Sequence, residues 1–270
     1  MSELTAAQRV KLARGVARPG AMDFINALFT DVFVCRGDRL HREDPSVFGA
    51  IARFHGKPVT VIGTRKGRTF EEKMKYNFGM PSPEGYRKAR RLMDQAEKFK
   101  RPVITFVDTP GAYPGLEAEA RGQGEAIAST IARMSCLTVP VVTVVIGEGG
   151  SGGALALAVA NRVLMLENAV YSILSPEGFA SILWKDAGRS GEAAELMRMT
   201  AADLLELGVA DEVIPEPEGG AHSDPQEVFE AVDRSLSAAL ARVVKEGSFA
   251  ARRQEKFRRM GSAAPWKENP

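Results

Sequence analysis

Five glycines fall within seven residues in Gly147-Glu148-Gly149-Gly150-Ser151-Gly152-Gly153. Glycine lets a backbone approach a ligand closely, and a helix that starts in such a run presents unpaired N–H groups that favour negative charge. Several chemistries fit. Gly147-x-Gly149-x-x-Gly152 has the spacing of a dinucleotide fingerprint, with Glu167 near the expected acidic position, but no βαβ unit of the usual length frames it. A phosphate loop requires Lys and then Ser or Thr after its last glycine, and Gly153-Ala154 stands there instead. Ser151 has the Gly-x-Ser-x-Gly spacing of a nucleophile elbow, which needs a downstream acid and then a histidine; only His222 is available. The remaining chemistry is an oxyanion hole, in which paired N–H groups face an oxygen that gains charge in the transition state. Against all of these stands close helix–strand packing alone.

A second turn-rich loop, Asp108-Thr109-Pro110-Gly111-Ala112-Tyr113-Pro114-Gly115, strengthens the oxyanion reading. Each loop follows an apolar strand and precedes a helix, so backbone donors from both can converge on one oxygen. Asp108 and Glu148 are the carboxylates of the two loops, and paired carboxylates would serve acid–base chemistry if the fold brought them together. His41, His55 and His222 are scattered and read as surface or turn residues. Cys136 reads as packing at a helix end.

The elements that must position these loops follow from pattern. Residues 48–54 and 58–63 are β-prone runs separated by His55-Gly56-Lys57, a hairpin. Ser82 and Pro83 open a helix whose buried stripe is Tyr86, Ala89, Met93, Ala96 and Phe99, with Arg87, Lys88, Arg90 and Arg91 on a solvated face. Residues 103–107 form a strand, 117–134 a helix, 139–146 a strand and 154–160 a small-residue helix. A strand at 162–166 follows, then a helix opened by Ser175-Pro176-Glu177. Thr200 and Asp203 approximate a capping box, Gly208 stops that helix, and 209–214 is a strand. Pro225 opens a long helix with Val228, Val232, Leu236 and Leu240 on one face. The tail from Gly247 is basic and expected to pack loosely. The strand–helix rhythm makes the class α/β.

The 270 residues carry 36 basic and 34 acidic side chains, a net charge of +2, which argues for neither nucleic acid nor membrane binding. With 44% hydrophobic and 26% charged residues the composition is that of a globular chain. Two cysteines, Cys35 and Cys136, exclude a disulfide scaffold and a four-cysteine zinc site. Residues 1–18 have basic side chains but no apolar stretch after them, and the apolar runs 139–146 and 154–160 are under half of the roughly 20 residues a membrane span needs. A cytoplasmic setting is expected.

Long consecutive blocks then become recognisable: Lys66-Gly67-Arg68, Asn77-Phe78-Gly79-Met80-Pro81, Pro83-Glu84-Gly85-Tyr86-Arg87-Lys88-Ala89, 108–115, Arg121-Gly122-Gln123-Gly124-Glu125-Ala126-Ile127-Ala128, 147–155 and Ser175-Pro176-Glu177-Gly178. From about residue 23 to 225 the chain resembles the α subunits of bacterial acetyl-CoA carboxylase carboxyltransferases. The resemblance implies a crotonase-like ββα superhelix over 23–246, between a short N-terminal helical segment (1–22) and a basic tail (247–270). It departs from the family in a short start and in Cys35-Arg36 and Ser135-Cys136.

The resemblance further implies transfer of a carboxyl group from carboxybiotin, borne on the biotin carboxyl carrier protein, to the methyl carbon of acetyl-CoA, giving malonyl-CoA. Negative charge then develops on the biotin ureido oxygen and the thioester enolate, and each needs fixed donors. By position, Gly152 and Gly153 would supply N–H groups to the ureido oxygen. Gly149 and Gly150 would shape the approach, and Gly111 and Ala112 would line the biotin pocket. The partners implied are a zinc-containing β subunit in an α2β2 heterotetramer, the carrier protein and biotin carboxylase, with no metal or cofactor bound by this chain itself. The alternatives are a subunit of another biotin-dependent acyl-CoA carboxyltransferase or decarboxylase, and a non-catalytic assembly subunit.

Overall fold

Unbroken apolar runs without alternation belong to strands covered on both faces, and the centre of the molecule is built that way. The computed structural model describes residues 4–261. In chain order, α1 (Ala6–Ala13) and α2 (Ala21–Leu28) precede β1 (Thr30–Val34), β2 (Val47–Phe54) and β3 (Lys57–Thr64). Then come α3 (Phe70–Lys75), α4 (Pro83–Lys98), β4 (Val103–Thr109), α5 (Leu116–Ala120), α6 (Gln123–Cys136), β5 (Val141–Gly150) and α7 (Ser151–Leu155). The last part holds β6 (Arg162–Leu166), β7 (Val170–Ser172), α8 (Pro176–Trp184), α9 (Ser190–Leu196), α10 (Ala201–Glu206), β8 (Glu212–Ile214), α11 (Pro225–Glu246) and α12 (Phe249–Arg259).

One sheet runs β1-β2-β3-β4-β5-β6-β8, with β7 pairing the end of β5. The β1–β2 and β2–β3 pairs are antiparallel, the latter being the expected hairpin, and the pairs from β3 onward are parallel. Helices cover both faces. A Cβ on Gly49 would strike Leu92 of α4, whereas one on Gly63 would strike Ala21 of α2. Gly63 pairs with Phe48, the neighbour of Gly49, so α4 and α2 lie on opposite sides. Phe24 stacks on Phe106 on the α2 side. The Thr105 and Thr143 hydroxyls bond each other (2.7 Å) and reach the Leu157 carbonyl (2.7 and 3.1 Å), tying the chain after α7 to the sheet.

Several expectations are corrected. Arg87 and Lys88 are buried, because Glu84 and Asp38 pair with Arg87 and Glu43 pairs with Lys88; a buried charge is tolerable only when so matched. Phe99 follows the last turn of α4 and is exposed. The helix expected over 117–134 is broken into α5 and α6 at Gly122, whose φ of 80° is left-handed. The small-residue helix begins earlier, at Ser151, and ends at Leu155. Part of the basic tail forms α12 and packs on α6, with Arg253 wholly buried. Cys136 is exposed. The Ser175 cap on α8, the Thr200–Asp203 capping box and the Gly208 stop stand as expected.

Candidate active site

β4 and β5 run parallel and in register from Val103 with Val141 to Val107 with Val145, after which Thr109 pairs with Gly149. Two extra residues in β5 therefore bulge beside Asp108, and both strands end level. Here the two loops touch backbone to backbone. A Cβ on Gly150 would lie 2.1 Å from the Pro110 carbonyl oxygen, and one on Gly153 would lie 2.6 Å from Ala112 N and 2.7 Å from Gly111 C. Glycine at both positions is thus a condition of the contact. Gly152 differs: its Cβ would meet only Ile127 Cγ2, at an ordinary 3.6 Å. Gly149 is packed against the Tyr171 ring of β7.

The contact gathers main-chain donors. Gly152 and Gly153 stand in the first turn of α7, where N–H groups have no intrahelical acceptor, and among the described residues neither is hydrogen-bonded; nor is the Ala112 N–H. The loop carrying Ala112 is held from several sides. Thr109 Oγ1 donates to the Gly111 carbonyl (2.7 Å), Tyr113 N donates to the Pro81 carbonyl (3.0 Å), and Gln123 Nε2 donates to the carbonyls of Pro81 (2.9 Å) and Tyr113 (2.8 Å). Tyr86, on α4, is wholly buried with its hydroxyl against Gly153 and, among the described residues, no hydrogen-bond partner. Burial, and then Asp44, raises its pKa, so it stays a neutral donor.

The competing readings do not assemble. Ser151 takes a left-handed φ of 53° and is exposed, but among the described residues its hydroxyl has no hydrogen bond to a histidine or an acid. Glu167, the acid of the dinucleotide spacing, accepts from Glu216 N (3.1 Å) and faces Arg9. His41, His55 and His222 are all exposed.

Asp108 and Glu148 do meet, through a residue that spacing did not single out for this role. Lys66 Nζ lies 2.7 Å from Asp108 Oδ1 and 2.6 Å from Glu148 Oε2, while Glu148 N donates to Asp108 Oδ1 (2.9 Å). Arg14, directly after α1, adds Glu148 (2.6 Å) and Glu177 of α8 (2.7 Å). Burial disfavours the Lys66 charge, yet the two carboxylates outweigh it and hold its pKa above the ordinary lysine value. Burial likewise opposes ionisation of Glu148, and Lys66 and Arg14 overcome it, so its pKa is depressed. Asp108 shares the α2 side of the sheet with Phe106, two residues earlier. A cavity of about 350 Å³ opens beside Lys66, Asp108 and Arg14, with no residue of the glycine run in its wall.

Adjacent parallel strands ending in touching loops with free main-chain donors give the molecule a crotonase-like fold, and solved structures share it. It superposes on the transcarboxylase 12S hexamer structure with a TM-score of 0.68 at 18% identity, over 97% of this chain and 46% of that one. A Pseudomonas malonate decarboxylase hetero-tetramer in complex with coenzyme A gives 0.70 at 19% identity, over 93% and 95%. The chain belongs to the acetyl co-enzyme A carboxylase carboxyltransferase-like family, whose model matches residues 1–261. It is 54% identical over 258 residues to the acetyl-coenzyme A carboxylase carboxyl transferase subunit alpha of Bacillus thuringiensis (strain Al Hakam), covering 95% of this chain and 80% of the relative. The Bacillus cereus (strain AH187) subunit matches equally.

Proposed function

We propose that this chain is the α subunit of an acetyl-CoA carboxylase carboxyltransferase, working with a zinc-containing β subunit in an α2β2 heterotetramer served by the biotin carboxyl carrier protein and biotin carboxylase. Carboxybiotin supplies the carboxyl group that acetyl-CoA receives to become malonyl-CoA. The observation that carries the reading is the contact of the two loops, which leaves the N–H groups of Gly152, Gly153 and Ala112 unpaired beside one another, in a chain of this family. Such a cradle fits the ureido oxygen: it offers fixed donors to an anion and has no room for a side chain at Gly153.

Gly152 and Gly153 donate to the oxygen on which charge develops, and preorganised donors of this kind typically contribute about 10²–10³ each in rate. Ala112 and Gly111 line the same pocket, and Gly150 keeps the loops in contact. The second set of donors, for the thioester enolate, belongs to the β subunit. Co-expression with the cognate β subunit tests this directly: the purified complex decarboxylates malonyl-CoA in the presence of free biotin, and neither subunit alone does so. Turnover by the isolated chain at the rate of the complex contradicts it.

A further inference from the structure

We propose that Lys66 is a positioning residue for carboxyl transfer, a cross-strand clamp whose one ammonium ties together the carboxylates at the feet of the two donor loops. The proposal rests on the carboxyltransferase reading for its effect on rate, but the clamp itself rests on geometry. Asp108 immediately precedes Thr109, Pro110 and Gly111, and Glu148 immediately precedes Gly149 and Gly150. Lys66, two residues beyond β3, reaches both at 2.7 and 2.6 Å and is itself largely buried. The clamp lies on the α2 side of the sheet, while Tyr86 of α4 abuts the loops from the other, so Lys66 acts through the strand ends rather than on a ligand.

The carboxylates flank one ammonium at 2.7 and 2.6 Å, and Glu148 N donates to Asp108 Oδ1 at 2.9 Å. Without a cation between them, two like charges would push the strand ends apart or take up a proton. The neighbouring charges cannot substitute. Arg14 reaches Glu148 but divides itself with Glu177; Arg18 is bound to Glu216, and Arg68 to Asp23. Arg65 donates to the Tyr76 hydroxyl, Glu72 accepts from Arg68 N, and Lys73 also lines the cavity. Among the described cations, Lys66 alone pairs with both carboxylates.

The test compares Lys66→Met, Lys66→Arg and the double variant Lys66→Met/Glu148→Gln, each co-purified with the β subunit. Lys66→Met should lower kcat for malonyl-CoA decarboxylation about tenfold or more while KM for malonyl-CoA changes little, because misplaced donors cost rate. Its deficit should shrink as pH falls from about 8 to about 6, where one carboxylate of an unneutralised pair protonates and bonds the other. The double variant, whose amide can donate to Asp108, should regain most of the lost rate at about pH 8 and lose that pH dependence. Lys66→Arg should retain more activity than Lys66→Met.

Hydrogen exchange on this chain, read in parallel, does not depend on activity: Lys66→Met should speed exchange in both 109–113 and 149–153. A wild-type complex without turnover refutes the carboxyltransferase reading and leaves the clamp to be judged by exchange. Unchanged exchange in both loops overturns the clamp. So does a Lys66→Met complex with wild-type kcat, or one whose loss is the same at every pH and is not relieved by Glu148→Gln.

Discussion

The carbonyl oxygen of Pro110 and the Cα of Gly150 are so close that a Cβ on Gly150 would stand 2.1 Å from that oxygen. This single approach makes the two loops one site, since it brings Gly111 and Ala112 against the glycine run. Gly150→Ala must therefore move backbone. Overpacking of this kind costs about 1–3 kcal/mol, visible as a lower denaturant midpoint, and activity should fall with it. Gly152→Ala, which meets only a van der Waals contact at 3.6 Å, should leave that midpoint almost unchanged. Equal destabilisation by the two variants would contradict the arrangement.

Ser151 sits in the left-handed region at a φ of 53° with an exposed side chain, so its hydroxyl is dispensable while its backbone is strained. Ser151→Ala should keep activity within a few-fold. Ser151→Gly should keep it too, and should raise stability by about 1 kcal/mol, the cost of holding an L-residue left-handed. A dead Ser151→Ala complex would restore the nucleophile-elbow reading.

Arg253 joins α12 to the core. Its guanidinium donates to the carbonyls of Met134 (2.8 Å), Leu137 (2.9 Å) and Val139 (3.0 Å) and to Asn161 Oδ1 (2.6 Å), and burial lowers its pKa to about 10. Arg253→Met should strip partners from buried carbonyls at the end of α6 and cost about 3 kcal/mol, read as a drop in Tm. An unchanged Tm would show that α12 is bound by other contacts.

Stability should depend on pH through the clamp in a definite sense. The depressed pKa of folded Glu148 means that its contribution is complete above the unfolded value, about 4.3, and is lost as pH falls through the folded one. The raised pKa of Lys66 means the opposite: its contribution is complete below about 10.4 and is lost as pH rises through the folded value. Urea unfolding of wild type and Glu148→Gln across acid pH should show the gap between them closing as pH falls. A gap that widens with acid would reverse the sign.

Much of this was legible in the residues, because the signals were local. Apolar runs marked β4 and β5, Ser175 and Thr200 marked helix starts, and the glycine run pointed to a close backbone approach. What could not be read is what depends on distant partners. Arg87 and Lys88 look like a solvated face until Glu84, Asp38 and Glu43 are brought to them by the fold. Arg253 looks like a tail residue until the carbonyls at the end of α6 surround it. Lys66 shows nothing alone; the signal lay in a cation two residues past β3, on the same sheet as β4 and β5, which carry Asp108 and Glu148 near their ends. Nor does spacing separate Gly152 from Gly153, since only the opposing loop decides which has room for a side chain.

In the proposed reaction the main-chain N–H groups of the glycine run, not its side chains, stabilise the developing charge. The most direct measurement replaces the peptide link between Gly152 and Gly153 by an ester, which deletes the Gly153 N–H and adds no side chain, and compares kcat of the assembled complex with that of the all-amide complex. The ester should lower kcat by about 10²–10³ with assembly intact. A kcat that does not change would contradict it.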